Sequence, residues 1–135
     1  MKKPVALPDT NYILRYLLRD DAKPFSETNS FFEQVRSGKE RAMLLESVIT
    51  ECLYVLTKHY QVPRSAAAES LLGILVYKGI INPDRDRLAS ALGHFKNTTL
   101  DPVDCLLAAT ALLEKQTLLT FDKALLKVAA KGTLP

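Results

Sequence analysis

Four carboxylates stand among apolar neighbours: Asp9 in LPDTNYILRYLL, Glu51 in SVITECLYVL, Asp104 in DPVDCLLAATALL and Asp122 in LLTFDKALL. Burying a lone carboxylate is very costly, so an acid on such a background needs a partner. If the four meet in space, a hard divalent cation is the partner whose chemistry fits, because it takes oxygen ligands.

Each acid also has a plainer reading. Asp9 and Asp122 follow short apolar runs that read as strands and stand at the start of helical patterns. In parallel α/β proteins that is the sheet edge where ligands bind, but an aspartate there also caps the helix it precedes. Glu51 has Ser47, Val48, Tyr54 and Val55 three and four residues away, so no cation pairs with it along its own helix. Its alternative is escape to solvent beside Lys58. Asp104 follows Asp101 by three residues, which resembles a capping box. The helix it begins is apolar nearly all round, through Val103, Leu106, Leu107, Ala108, Ala109, Leu112 and Leu113, and capping would not exclude metal contact.

The other reactive residue types carry less. Cys52 and Cys105 lie in apolar helical patterns with no second thiol or histidine at ligand spacing, and read as core. His59 and His94 are isolated, with no nucleophile motif around them, and read as surface or rim. There is no glycine-rich phosphate loop, and the aromatic residues are scattered and form no stacking platform.

The elements that must position the acids alternate between short apolar runs and helical patterns, which predicts an α/β protein with a mainly parallel sheet. A strand is expected at 5–7, and the helix after Asp9 keeps Ile13, Leu14, Leu17 and Leu18 on one face, with Arg15 and Arg19 on another. A second helix is expected from near Pro24 to Ser37, stopping at Gly38. A strand at 41–45 leads to a helix capped by Ser47 and running to about Tyr60. Helices follow at 64–75, from Pro83 and Asp84 to near Gly93, and from Asp101 and Pro102 to about Lys115. Strands are expected near 79–81 and at 117–120, and the terminal GTLP adds an edge strand or frays.

The 135 residues fit one domain, 1–135, able to bury a core without staples. With 47% hydrophobic and 24% charged residues the chain reads as globular. A net charge of +3 tolerates a polyanionic partner without demanding one. No apolar run is long enough to span a bilayer, and the start is too soon acidic for a signal peptide, so the expected compartment is the cytoplasm.

In order, DTNYILRYLL, the S-x-x-x-E of Ser47 to Glu51, DPVDCLLAATAL and LLTFD resemble a PIN-domain ribonuclease, in particular the VapC-type toxins of toxin–antitoxin pairs. The resemblance spans essentially the whole chain. It implies a three-layer α/β/α sandwich around a mainly parallel central sheet, with Asp9, Glu51, Asp104 and Asp122 gathered at one edge as catalytic ligands of Mg²⁺ or Mn²⁺. Thr10, Asn11 and Thr120 would be supporting residues, with Asp101 either a cap or part of the outer metal shell. Pro8 departs from the pattern, since an apolar strand residue usually precedes the first acid. The implied activity is hydrolysis of RNA phosphodiester bonds, with Arg15 and Arg19 as candidate phosphate contacts. The implied partners are a second copy of the chain and a small antitoxin. The rival readings are a non-catalytic PIN-like interaction module, and a metal-dependent phosphatase or phosphoacceptor using the same acids.

Overall fold

Helices dominate the chain because its apolar residues recur at helical spacing. The computed structural model describes residues 4–19 and 23–131, and among these it contains seven α-helices. They are α1 (Thr10–Leu18), α2 (Lys23–Ser37), α3 (Glu46–Tyr54), α4 (Arg64–Leu75), α5 (Arg85–Asn97), α6 (Pro102–Leu113) and α7 (Lys123–Lys131). A π turn (Val55–His59) prolongs α3. Helix α1 packs on α2 and α3, α3 on α4 and α6, α5 on both α4 and α6, and α7 on α6.

The structure overturns the expected α/β/α sandwich, because the described residues contain no sheet. The runs at 5–7, 41–45 and 79–81 come together side by side but close only two isolated parallel bridges, Ala6 with Ala42 and Ala42 with Ile80. Four backbone bonds make them. Ala6 N donates to Arg41 O at 2.9 Å and Met43 N to Ala6 O at 3.0 Å, while Ala42 N donates to Gly79 O at 2.9 Å and Ile81 N to Ala42 O at 3.0 Å.

Local chemistry stops these pairings from growing. Pro8 offers no N–H for the next rung beyond Ala6. Beyond Ala42, the side chain of Asn82 takes both backbone groups of Leu44, accepting from its N–H at 2.9 Å and donating to its carbonyl at 2.8 Å. An amide side chain thus stands where another strand residue would pair. Gly79 makes the close approach feasible, since a Cβ there would overlap the carbonyl oxygen of Glu40. The expected strand at 117–120 forms no β bridge among the described residues, and Leu119 within it is 88% exposed. The GTLP segment lies outside the described residues.

Helix boundaries follow the sequence more closely. Helix α4 spans the expected residues, and α2 stops at Gly38, whose φ of 89° is left-handed. Gly38 N bonds Val35 O and Lys39 N bonds Gln34 O at 2.8 Å, closing the last turn in the Schellman manner. Ser47 does not cap α3; Leu45 holds that position with no side-chain bond, and Ser47 is exposed one residue inside the helix. Helix α5 runs four residues past Gly93, because nothing there demands a left-handed backbone. The core under the site joins Ile13 and Leu14 of α1, Phe32 and Val35 of α2, Cys52 and Leu53 of α3, and Ala108 and Ala109 of α6. Each fully buried large side chain contributes about 1.5–3 kcal/mol.

Candidate active site

The first acid sits at the N-terminus of α1. Asp9 is extended, and one of its oxygens, Oδ1, accepts from Tyr12 N at 2.9 Å, so the capping reading holds for that atom. The adjoining Thr10 is buried, and its hydroxyl donates to Glu51 Oε1 across 41 residues of sequence in a short hydrogen bond. That bond ties the start of α1 to the middle of α3. The charges of Glu51 and Asp9 both reach the buried Cys52 thiol, which burial first and those two carboxylates second push up to about 12.

The second group of acids forms where α6 and α7 begin. Asp104, in the first turn of α6, holds its proton more strongly than an ordinary aspartate, first through burial, then through the charges of Asp122 and Asp101. Asp101 is exposed and occupies the N-cap position without a side-chain capping bond, so the capping box suggested by its spacing does not form. Asp122 does cap α7, with Leu125 N donating to its Oδ1 at 3.1 Å. Thr120 supports it through the backbone, its hydroxyl accepting from Asp122 N at 3.0 Å.

A common feature emerges. Asp9, Glu51 and Asp122 each have one carboxylate oxygen fixed by a hydrogen bond, while the other carries none among the described residues. Capping and ligation therefore do not compete here, since they use different atoms. Thr10 links the start of α1, beside Asp9, to Glu51, and the charges of Asp122 and Asp101 both act on Asp104. Among the described residues no three acid, histidine or cysteine side chains close into one metal-holding group.

The remaining sequence candidates separate. Asn11 is exposed beside Thr10. Arg15 is exposed on α1, and Arg19 ends that helix in a left-handed conformation, roughly 14 Å along the axis from Asp9. Arg19 lines a separate cleft with Arg36 and Lys78, near the C-terminal ends of α1, α2 and α4. His59 is exposed against Tyr60, and half-buried His94 has its pKa lowered by burial.

Sequence reasoning missed two arginines. Arg87 joins three elements, reaching Glu46 at 2.6 Å, Asp84 at 3.1 Å and the Thr110 hydroxyl at 3.2 Å. Arg64 pins the segment before α6, with Nε on Thr98 O at 3.0 Å and Nη2 on Leu100 O at 2.6 Å. Neither could be told from a solvated helix arginine by spacing alone.

The PIN domain family model matches residues 6–131, and the chain belongs to that family. PIN domains are generally metal-dependent ribonucleases. No curated protein and no solved structure matches the chain. No helix among the described residues is long and apolar enough to cross a membrane. The donor set suits a hard divalent cation in kind: carboxylate oxygens, several half-fixed, with one acid whose proton affinity is raised first by burial and then by its acidic neighbours.

Proposed function

We propose that the protein is a Mg²⁺- or Mn²⁺-dependent endoribonuclease and the toxin of a toxin–antitoxin pair. The observation that carries this reading is the half-fixed state of the acids in a PIN-family chain: in Asp9, Glu51 and Asp122 one oxygen is held and the other has no hydrogen bond among the described residues.

In this reading Asp9, Glu51, Asp104 and Asp122 hold the cation. A bound divalent cation supplies activation of water and neutralisation of charge at the phosphate. The chain does the positioning. Thr10 holds Glu51 in one rotamer, the first turn of α1 holds Asp9, and Thr120 fixes the backbone that presents Asp122. Burial first, then the charges of Asp122 and Asp101, raise the proton affinity of Asp104, and a cation held by these acids would offset that repulsion. No histidine or serine nucleophile is required. A homodimer and a small antitoxin blocking the acids complete the proposal, on the strength of the resemblance of the motifs to VapC-type toxins.

One observation favours a second reading, a PIN module that binds without cutting: no three ligating side chains are closed into one group among the described residues. Cleavage of single-stranded and structured RNA, with Mg²⁺, with Mn²⁺ and with chelator, separates the two. Metal-dependent cutting supports the nuclease, and its absence in clean, folded protein supports the module.

A further inference from the structure

The surface of α3 that carries Glu51 does not end there. Tyr54 follows three residues later, on the same side of α3, and Lys58 follows within the turn that prolongs the helix. Between them the helix opens into the π turn, closed by Tyr60 N on Val55 O at 3.1 Å. Such bulges recur at functional sites.

Tyr54 and Lys58 line a cleft of about 280 Å³ whose other wall is built from Arg64, Phe95, Pro102 and Asp101. That wall is rigid. The Arg64 guanidinium lies 3.6 Å above the centre of the Phe95 ring and is held in place by two carbonyls before α6, through Nε and one N–H of Nη2. Lys58 differs, being exposed and in no ion pair among the described residues. The Tyr54 ring is half exposed, at 50%, and stacks on no other ring there.

The cleft also adjoins the acids on both sides. Glu51 is one helical turn from Tyr54, and Asp101, on the opposite lip, is close enough for its charge to act on Asp104. A lone surface tyrosine or lysine says nothing. An open ring, an uncommitted cation and a rigid wall, all between two acid groups, match the two recognisable parts of a nucleotide: a flat base and a phosphate.

We propose that this cleft is a subsite for one nucleotide of the RNA, its base stacked on Tyr54 and its phosphate on Lys58. It rests on the proposed nuclease function only in placing the bound nucleotide beside the point of cleavage. A base inside a duplex has no free face to offer, so the subsite selects single-stranded or looped RNA.

Binding of a short fluorescent single-stranded RNA in Mg²⁺, followed by anisotropy in an Asp9→Asn background, tests this independently of cutting. Tyr54→Ala is expected to weaken binding about tenfold, while Tyr54→Phe retains it. Lys58→Gln is expected to reduce the slope of log affinity against log salt by about 0.7, the value for one lost phosphate contact on a single strand. Unchanged affinity in Tyr54→Ala, an unchanged slope in Lys58→Gln, equal losses on duplex RNA, or no RNA binding at all overturns the subsite. If the parent cuts no RNA yet Tyr54→Ala still weakens binding, the nuclease reading fails and the subsite stands. If the parent cuts and Tyr54→Ala binds as before, the reverse holds.

Discussion

The hydroxyl of Thr10 donates to the carboxylate of Glu51, joining residues 41 positions apart and docking the N-terminus of α1 onto α3. Among the described residues the Thr10 hydroxyl is the group that fixes the Glu51 carboxylate, so its loss should be felt by the acid more than by the fold. Thr10→Val keeps the shape and removes the donor. It should cost about 1 kcal/mol of stability and raise the metal concentration for half-maximal RNA cleavage, about tenfold by analogy with other groups that orient ligands. Thr10→Ser should restore both. Metal titrations of cleavage rate for the three proteins check this; a Thr10→Val curve that overlays the parent's would remove Thr10 from the site.

Asn82 explains where the bridging segments stop. Its side chain satisfies Leu44 N and Leu44 O and also donates to Asp84 at 3.0 Å. Asn82→Ala would leave two buried backbone groups unpaired and should destabilise the protein by about 2–4 kcal/mol. Urea unfolding measures it; a loss within the scatter of surface substitutions would mean that water or another strand residue replaces the amide.

His94 gives stability a pH dependence. Burial lowers its pKa in the folded chain below the ordinary 6.5, and its Nε2 is buried without a hydrogen-bond partner among the described residues. Between the lowered folded value and 6.5 the unfolded chain binds more protons, so stability rises with pH across that window. The contribution is fully present above about 6.5 and is lost as pH falls through the folded value. His94→Gln should therefore flatten this part of the profile. Thermal melts of parent and variant at pH 7.5 and at pH 5 check it, and parallel profiles would contradict it.

Asp104 should behave in the opposite sense. Burial and the charges of Asp122 and Asp101 raise its pKa above 3.8, so the folded chain holds its proton more tightly and this acid weakens the fold as pH rises through that range. Asp104→Asn should leave the metal-free protein at neutral pH as stable as the parent or more so. It should also shift stabilisation by Mg²⁺ or Mn²⁺ to higher concentration, because a ligand is gone. Melts with increasing metal decide the matter; identical metal responses would make Asp104 a residue of the helix start and not a ligand.

The sequence displays the helices and the acids because both depend on local pattern. Apolar spacing located α4, a glycine ended α2, and an Asp-Pro pair opened α6. The missing sheet was legible only in part: the lost N–H of Pro8, which blocks the far side of Ala6, is local, but the other stop is tertiary, an asparagine forty residues from Ala42 that occupies the Leu44 backbone. Capping and ligation looked like alternatives for Asp9 and Asp122 because sequence assigns a role to a residue, whereas each carboxylate has two oxygens. Tyr54 and Lys58 escaped notice for a similar reason. On an exposed helix face they look like solvated residues until the turn before α6 builds the opposite wall.

The central claim concerns charge at Asp9. Asparagine caps a helix as well as aspartate does, so Asp9→Asn should keep the bond from Tyr12 N and the fold while removing the charge that holds a cation. The decisive measurement is the rate of single-stranded RNA cleavage by parent and Asp9→Asn in Mg²⁺ and in Mn²⁺, each with a chelator control and a melting curve. Metal-dependent cleavage by the parent is expected, with a loss of about a hundredfold or more in a variant that melts as the parent does. Cleavage by Asp9→Asn at the parent's rate, in preparations free of other nucleases, would contradict it.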